Sequence, residues 1–468
     1  MRWAEGIDKL GIGLYLLLCI FAIVNIHSVD DALGQKQMIF FGISLFIGVI
    51  IFLMRSKFFE NMSGIIYIFG VLLLIGLFPF GTEILGQKNW YKFGSITMQP
   101  VEFAKIGTSL MLANYVSGPD FNLKRTNSFV TVLAVIGIPA FVVLLIPDVG
   151  SLLVFTAFVI ALYREGLSGW FFIVPIVLGV IFFSSLLLTP FPVVLFIALL
   201  GNAILLLHLN NIKPNLPILF ILLFGILIAA YISTINTTTL AIIIIIAKII
   251  SVVATINLII VIVKVIRKEL NLSILLRAFL IIIIASFVGN ISFYSVKVLE
   301  KLPKHQRERI EVLYKGEKAF RDTSGYNLLY SKTAIGSGGF FGKGYKQGSV
   351  TQGKFVPEQE TDYIFCTVGE EWGFFGSSIL VLFYVVFIGR IYYLSERQKS
   401  DFNRVFGYCF ASILLMHFCI NLGMVMGLFP TVGIPLPFFS YGGSSLLAFS
   451  IMTFIFFKLN YTDKNSLV

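Results

Sequence analysis

The stretch TLAIIIIIAKIISVVATINLIIVIVK, residues 239–264, is apolar almost throughout and longer than the roughly 20 residues a helix needs to cross a bilayer. Within lipid every backbone N–H and C=O must be satisfied internally, which leaves only helices and closed barrels. Barrel strands alternate apolar and polar residues. The run Ile242–Ile246 does not alternate, so the stretch reads as a helix.

Similar runs recur along nearly all of the 468 residues, 57% of which are hydrophobic and only 13% charged. A soluble domain carries about 25% charged residues. Mean hydropathy is +0.93. The expected fold is therefore an all-α polytopic integral membrane protein. Spans are expected near residues 11–27, 38–54, 62–80, 101–117, 128–146, 149–163, 169–188, 191–208, 216–234, 239–264, 274–299, 363–395, 405–427 and 437–457. That makes about fourteen helices. The 363–395 run exceeds a bilayer's thickness and is expected to extend into the cytoplasm.

The net charge of +11 reads first as topology. Arg55 with Lys57, Lys124 with Arg125, Arg164, Lys213, Lys264 with Arg267 and Lys268, and Arg397 with Lys399 fall on one side if both termini are cytoplasmic, as the positive-inside rule requires. With no separate basic domain, nucleic-acid binding is not expected. Cys19, Cys366, Cys409 and Cys419 lack paired spacing and read as small buried hydrophobes. No cleavable signal sequence is evident. No pair among His27, His208, His305 and His417 has metal-ligand spacing, so no metal site is expected from them.

The expected organisation is core helices over 1–189, inserted hydrophobic helices over 190–273, a core helix over 274–299, a long loop outside the cell membrane over 300–362, and core helices over 363–468. The 190–273 segment offers no chemistry. A loop as long as 300–362 is usually functional or disordered; its glycines and aromatics favour an ordered, functional one.

Four places carry groups that a membrane protein keeps for a reason. In NWYKFGSITMQPVEFAK (89–105), Pro100 suits a helix's first turn, Glu102 is favoured there by the helix dipole, and Lys105 lies within pairing reach. The pair is either a structural ion pair or the wall of an internal cavity, and Trp90 taken alone reads first as an interfacial anchor. Pro147-Asp148-Val149-Gly150 reads as a surface turn. In EQETDYIFCTVGEE (358–371), Thr361 or Asp362 either caps the next helix or places a carboxylate at a cavity mouth, where a general base is useful. Glu370 and Glu371 lie deeper and need partners. In NLGMVMGLFPTVGIPLPFFSYGGSS (421–445), prolines and glycines break a membrane segment. That reads either as a surface loop or as an unwound wall beside a cavity. GSGGFFGKG (336–344) does not fit the phosphate-loop spacing.

Taken together with IPDVGS (146–151), HQRERI (305–310) and SGYNLLYSKTAIGSGGFFGKGYKQG (324–348), these segments resemble the SEDS family, the shape, elongation, division and sporulation proteins. The motifs follow the family's order and span most of the chain outside 190–273. GFFGKGYKQGSVTQGKFVPE (339–358) is more similar to the RodA branch than to the FtsW branch. Three departures stand out. Asn89 replaces a usual Arg, Val101 stands within a usual Q-P-S-E, and Glu360-Thr361-Asp362-Tyr363 replaces H-T-D-F.

The resemblance implies about ten core helices, so that 190–273 adds about four, an even number that keeps the long loop outside. It implies a peptidoglycan glycosyltransferase of the bacterial cytoplasmic membrane. Such an enzyme polymerises lipid II with inversion onto a glycan held by polyprenyl pyrophosphate, during elongation and shape maintenance. Asp362 would be the catalytic base. Trp90, Gln99, Glu102, Lys105, Lys343, Glu358, Thr361 and Ser440 would bind substrate. Charge on the leaving pyrophosphate would be met by Lys105, a loop Lys or Arg, or a divalent cation (Mg or Mn); no other cofactor is implied. The implied protein partner is a class B penicillin-binding protein. A lipid flippase fits the broken helices and midplane charges equally well, and a non-catalytic scaffold for wall synthesis is a third class. The polar loop ending in a lone carboxylate, and the lack of an inverted hydropathy repeat, favour the enzyme.

Overall fold

The computed structural model describes residues 6–84, 87–94, 96–146, 148–188 and 299–465. The expected inserted helices of 190–273, and nearly all of the expected helix 274–299, lie outside the described residues. Two compact units are distinguished, Met1–Gly169 with Glu308–Val468, and Trp170–Arg307. The described part of the second unit is dominated by the apolar helix Trp170–Leu188.

Among the described residues, seven helices are long and apolar enough to cross a membrane: Lys9–Val29, Asp31–Leu53, Ser56–Phe80, Thr126–Leu145, Gly373–Glu396, Asp401–Val425 and Gly443–Lys464. The protein is an all-α polytopic membrane protein, as its hydropathy requires. The helices Asp401–Val425 and Gly443–Lys464 are the most enclosed, each 72% buried over its apolar window, whereas Asp31–Leu53 is 22% buried. The two enclosed spans therefore lie innermost in this unit, and the other five are more exposed. Helix Pro100–Val116, buried along most of its length, lies against Asp401–Val425 and along Ser56–Ile75. Glycine permits the second contact. A Cβ on Gly107 would stand 2.8 Å from Tyr67 Cα, and one on Gly70 would stand 3.0 Å from Ala104 Cα. Small residues at such crossings let two membrane helices approach backbone to backbone.

The structure corrects several expectations. Residues ahead of Pro100 form a small antiparallel sheet, β1 (Thr82–Ile84), β2 (Gln87–Phe93) and β3 (Ile96–Met98), in the order β1-β2-β3. In the β2–β3 hairpin Tyr91 pairs with Met98 and Phe93 with Ile96, and Gly94 turns the chain at φ +63°. The expected span 149–163 is two short helices, Val149–Phe155 and Ala157–Arg164, joined at Thr156. The 363–395 run does not continue as one overlong helix. It breaks at Trp372 into Ile364–Glu371 and Gly373–Glu396, because Gly373 takes φ +66°, in the left-handed region, where a right-handed helix cannot run on from the residues before it. The last span starts only at Gly443, leaving 428–442 non-helical. The long polar loop is ordered into helices Lys304–Lys315, Tyr326–Ser337 and Ser349–Gln352.

Candidate active site

Pro100 opens its helix at the first position, and Glu102 follows in the first turn. Lys105 is 1% exposed, and its Nζ lies 2.8 Å from Glu102 Oε1 and 2.7 Å from His417 Nε2. His417 Nδ1 is 3.1 Å from the Pro435 carbonyl oxygen. A carbonyl only accepts, so Nδ1 carries the ring proton and Nε2 is the acceptor. The Lys105 ammonium therefore donates to both partners, with the Phe449 ring centroid 5.3 Å from its Nζ. Glu102 Oε2 is buried, and no described residue hydrogen-bonds to it.

Asp148 caps the helix after it, accepting from Ser151 N at 2.9 Å and Ser151 Oγ at 2.8 Å. Its Oδ2 also accepts from Asn89 Nδ2 at 3.1 Å, which ties the β2 strand to this turn. The Asp148 charge is felt by both Lys105 and Asp362.

Asp362 stands just before helix Ile364–Glu371. The N-cap of that helix is Tyr363, and no side chain caps it, so neither Thr361 nor Asp362 has the capping role. The backbone around Asp362 is stitched to the broken segment. Asn421 Nδ2 donates to the carbonyls of Asp362 at 2.8 Å and Ile434 at 2.7 Å. Ser440 Oγ donates to Thr361 O at 2.6 Å and accepts from Leu436 N at 2.8 Å. Tyr441 N donates to Glu360 O at 2.8 Å. Gln37, on another helix, holds the same strip through Ser440 O at 3.3 Å and Gly442 N at 3.2 Å. The Asp148–Gly150 turn joins from the other side, for a Cβ on Gly150 would stand 2.6 Å from Val432 O. The unwound 428–442 segment is thus a wall held in place by protein.

The Asp362 side chain itself is half-buried, and no described residue donates a hydrogen bond to its carboxylate. Its pKa is pushed up to about 7, first by burial and then by the Glu358 carboxylate; Arg309 opposes the shift, and Asp148 and Glu360 add to it. Glu358, at φ +58°, is also raised, by burial and by Glu360. Arg309, on Lys304–Lys315, is half-buried, and its positive charge opposes the rise at both acids. An acid poised near neutrality, with no structural hydrogen bond holding it, suits proton transfer.

The expected site residues divide. Asp362, Thr361, Glu358 and Ser440 come together around the broken wall, and Glu102 with Lys105 forms a second group linked to that wall through His417 and Pro435. Trp90 is half-buried on β2. Gln99 is buried ahead of Pro100, with its N–H 3.4 Å from Ser444 Oγ. Lys343 lies elsewhere. Its Nζ is 2.7 Å from Glu370 Oε1, and Glu370 also accepts from Val350 N at 2.9 Å, Thr351 N at 2.8 Å and Thr351 Oγ1 at 2.7 Å. Glu371 accepts from Ser28 Oγ. These two acids have the partners their burial demands, and the Lys343 ammonium is spent on one of them.

Sequence reasoning weighed His417 only as a metal ligand, gave Asn421 no role of its own within the 421–445 stretch, and passed over Gln37. The signal was available for His417 and Asn421, since both are polar residues within the apolar span Asp401–Val425.

The chain matches the model of a family described as cell cycle protein, covering FtsW, RodA and SpoVE, over residues 9–200 and 188–465. It is similar to the peptidoglycan glycosyltransferase MrdB of Escherichia coli K12, with 25% identity over 90% of this chain and 83% of the relative. Similarity to the peptidoglycan glycosyltransferase RodA of Treponema pallidum is 28%, over 88% of this chain and 87% of that one. Among solved structures, the rod shape determining protein RodA of Thermus thermophilus aligns at a TM-score of 0.56 with 20% identity, covering 99% of both chains. A chain from a peptidoglycan synthase complex aligns at a TM-score of 0.64 with 20% identity, covering 98% of both.

Proposed function

This chain belongs to the FtsW, RodA and SpoVE family of cell cycle proteins, and we propose that it is a peptidoglycan glycosyltransferase that polymerises lipid II into β-1,4 glycan strands during elongation. The observation that carries this reading is Asp362, a half-buried carboxyl raised to about 7 and standing against the unwound wall. The curated relatives named as peptidoglycan glycosyltransferases support it over most of the chain.

The acceptor hydroxyl of an incoming lipid II is a weak nucleophile. Asp362 takes its proton as the oxygen attacks the anomeric carbon of the donor glycan, whose bond to pyrophosphate breaks with inversion. A positioned base contributes roughly 10²–10⁴-fold. Pyrophosphate leaves without a proton but needs positive charge. Lys105 is held by Glu102 and His417, and Lys343 by Glu370. Arg309 is a loop cation whose charge acts on Asp362, and we assign it to the leaving group. Lys105 then acts by setting the shape and charge of the cavity wall together with Glu102. A divalent cation, Mg or Mn, carried in on the pyrophosphate is a second proposed source of that charge; among the described residues, no three His, Cys, Asp or Glu side chains are grouped to hold one.

The membrane is proposed to be the bacterial cytoplasmic one, with both termini inside. The distribution of Lys and Arg in the short loops supports this placement. A class B penicillin-binding protein is the proposed partner. The fold shared with a chain of a peptidoglycan synthase complex supports an assembly of that kind.

One assay tests the function. Purified protein is given lipid II, and glycan polymer is measured. Polymer is expected; transbilayer movement of lipid II without polymer would make the protein a flippase, and neither would leave it a scaffold.

A further inference from the structure

The ribbon Gly338–Gly344 turns two phenylalanine rings outward, Phe340 at 57% and Phe341 at 76% exposure. The ribbon is fixed rather than loose. Phe374 N donates to Gly339 O and Phe375 N to Phe340 O, each at 2.9 Å, and Lys343 N donates to Glu370 O and Gly344 N to Glu371 O, each at 3.0 Å. Only glycine allows this approach. A Cβ on Gly338 would stand 2.0 Å from Gly369 O, and one on Gly342, at φ +83°, would stand 2.1 Å from Glu371 O. Phe340 packs on Phe341 at 4.8 Å and on Phe374 at 5.8 Å between centroids, and Phe341 packs on Phe375 at 6.3 Å. Phe374 and Phe375 are themselves 65% and 53% exposed. Four clustered, exposed phenylalanines need an apolar neighbour.

The span on which Phe374 and Phe375 stand points to that neighbour. On Gly373–Glu396 the exposed apolar residues Phe374, Phe375, Leu382, Val385 and Val386 follow helical spacing along one face, which is the face left for lipid. Arg390, on the same helix, pairs with Asp8 at 2.7 Å and marks the span's charged end. The rise from Phe374 to Arg390 is about 24 Å at 1.5 Å per residue. That sets the four rings near the opposite margin of a hydrocarbon layer about 30 Å thick. Aromatic side chains concentrate at this level.

We propose that Phe340 and Phe341 are inserted among the acyl chains of the bilayer leaflet, so that the Gly338–Gly344 ribbon anchors the long polar loop to the membrane. The occupant is lipid because the two rings prolong the lipid-facing stripe of Gly373–Glu396 by one layer. The ribbon's backbone bonds reach Glu370 and Glu371, on the helix that follows Asp362 directly. The anchor thereby fixes the height of Asp362 above the acyl chains. The use of that height against a lipid-linked substrate rests on the reading of Asp362 given above; the insertion itself does not.

The test is site-directed spin labelling of the full chain in phospholipid vesicles. A nitroxide is attached at Phe341→Cys in a Cys419→Ala background, since the other three cysteines are buried. Collision with oxygen is compared with collision with a water-soluble nickel chelate. Insertion predicts that oxygen collides several-fold more often than the chelate. Dominant collision with the chelate would show a loop in water, and loss of both would show cover by protein; either result overturns the proposal. A nitroxide at Lys318→Cys, on the polar part of the loop, serves as the water-exposed reference. Polymerisation by Phe340→Ser/Phe341→Ser is read separately against Phe340→Leu/Phe341→Leu. Loss in the serine pair with recovery in the leucine pair supports the positioning role, and equal activity in both removes that role while leaving the depth measurement to stand or fall alone.

Discussion

Gly433 passes so close to Asp362 that a Cβ added to it would stand 3.1 Å from Asp362 Oδ2, and its φ of +68° is one that L side chains rarely adopt. The wall and the carboxylate are therefore fitted to each other through the lack of a side chain. Gly433→Ala is expected to cost about 1–2 kcal/mol in backbone strain and to push the carboxylate aside. Misplacing a reacting group by 1 Å can cost about a hundredfold. Polymerisation should therefore fall well beyond the change in thermal stability, when both are measured on the same detergent-purified sample.

The raised pKa of Asp362 gives a pH profile with a defined sign. A base must be deprotonated, so kcat/KM should be flat above about 7 and fall about tenfold per pH unit below it. Glu358→Gln removes a neighbouring negative charge and should move the acid limb to lower pH. Arg309→Gln removes the opposing positive charge and should move it higher. Rate measurements on lipid II between pH 5 and 9 check all three, and an unmoved limb in both variants would detach Asp362 from the profile.

How much of this was written in the sequence differs by element. The Glu102–Lys105 pair was legible because three-residue spacing on a helix is a strict geometric rule. The break at Gly373 was not, because a run of apolar residues reports length and not backbone angle. The β2–β3 hairpin was hidden in a segment read for its charges, although Gly94 between alternating residues is a hairpin signal. Asp148 read as a turn residue, which it is; the close approach of its turn to the wall, Gly150 against the Val432 carbonyl, joins residues 282 positions apart and is encoded by no local pattern. Asp362 was legible as a carboxylate at the end of a polar loop. That it stands free of capping was not, because the competing cap signal is equally local.

The same low dielectric that makes the Glu102–Lys105 pair strong makes either partner costly alone. Lys105→Met should destabilise the protein by about 3–5 kcal/mol, the range for breaking a buried pair. Glu102→Gln/Lys105→Met should recover most of that stability. If polymerisation stays low in the recovered double variant, the pair shapes the cavity for substrate. If activity returns with stability, its role is structural.

Glu370 is the pin of the long loop, since Lys343, Ser349 and Thr351 all bond to it. Glu370→Ala leaves these donors without their acceptor, at roughly 1–3 kcal/mol for each buried group. Hydrogen exchange over 343–352 should rise sharply in Glu370→Ala and only modestly in Lys343→Met. Equal protection in both would show that the loop is held by other contacts.

The central claim is that Asp362 removes the acceptor proton. It is tested most directly by comparing the purified wild type with Asp362→Asn on lipid II at pH 8, with thermal unfolding followed on the same samples. Burying a carboxylate whose folded pKa lies near 7, above its usual 3.8, costs stability as pH rises through that window. The Asn variant should therefore be at least as stable as the wild type while making no glycan polymer. A stable Asp362→Asn that polymerises lipid II at the wild-type rate would contradict the account.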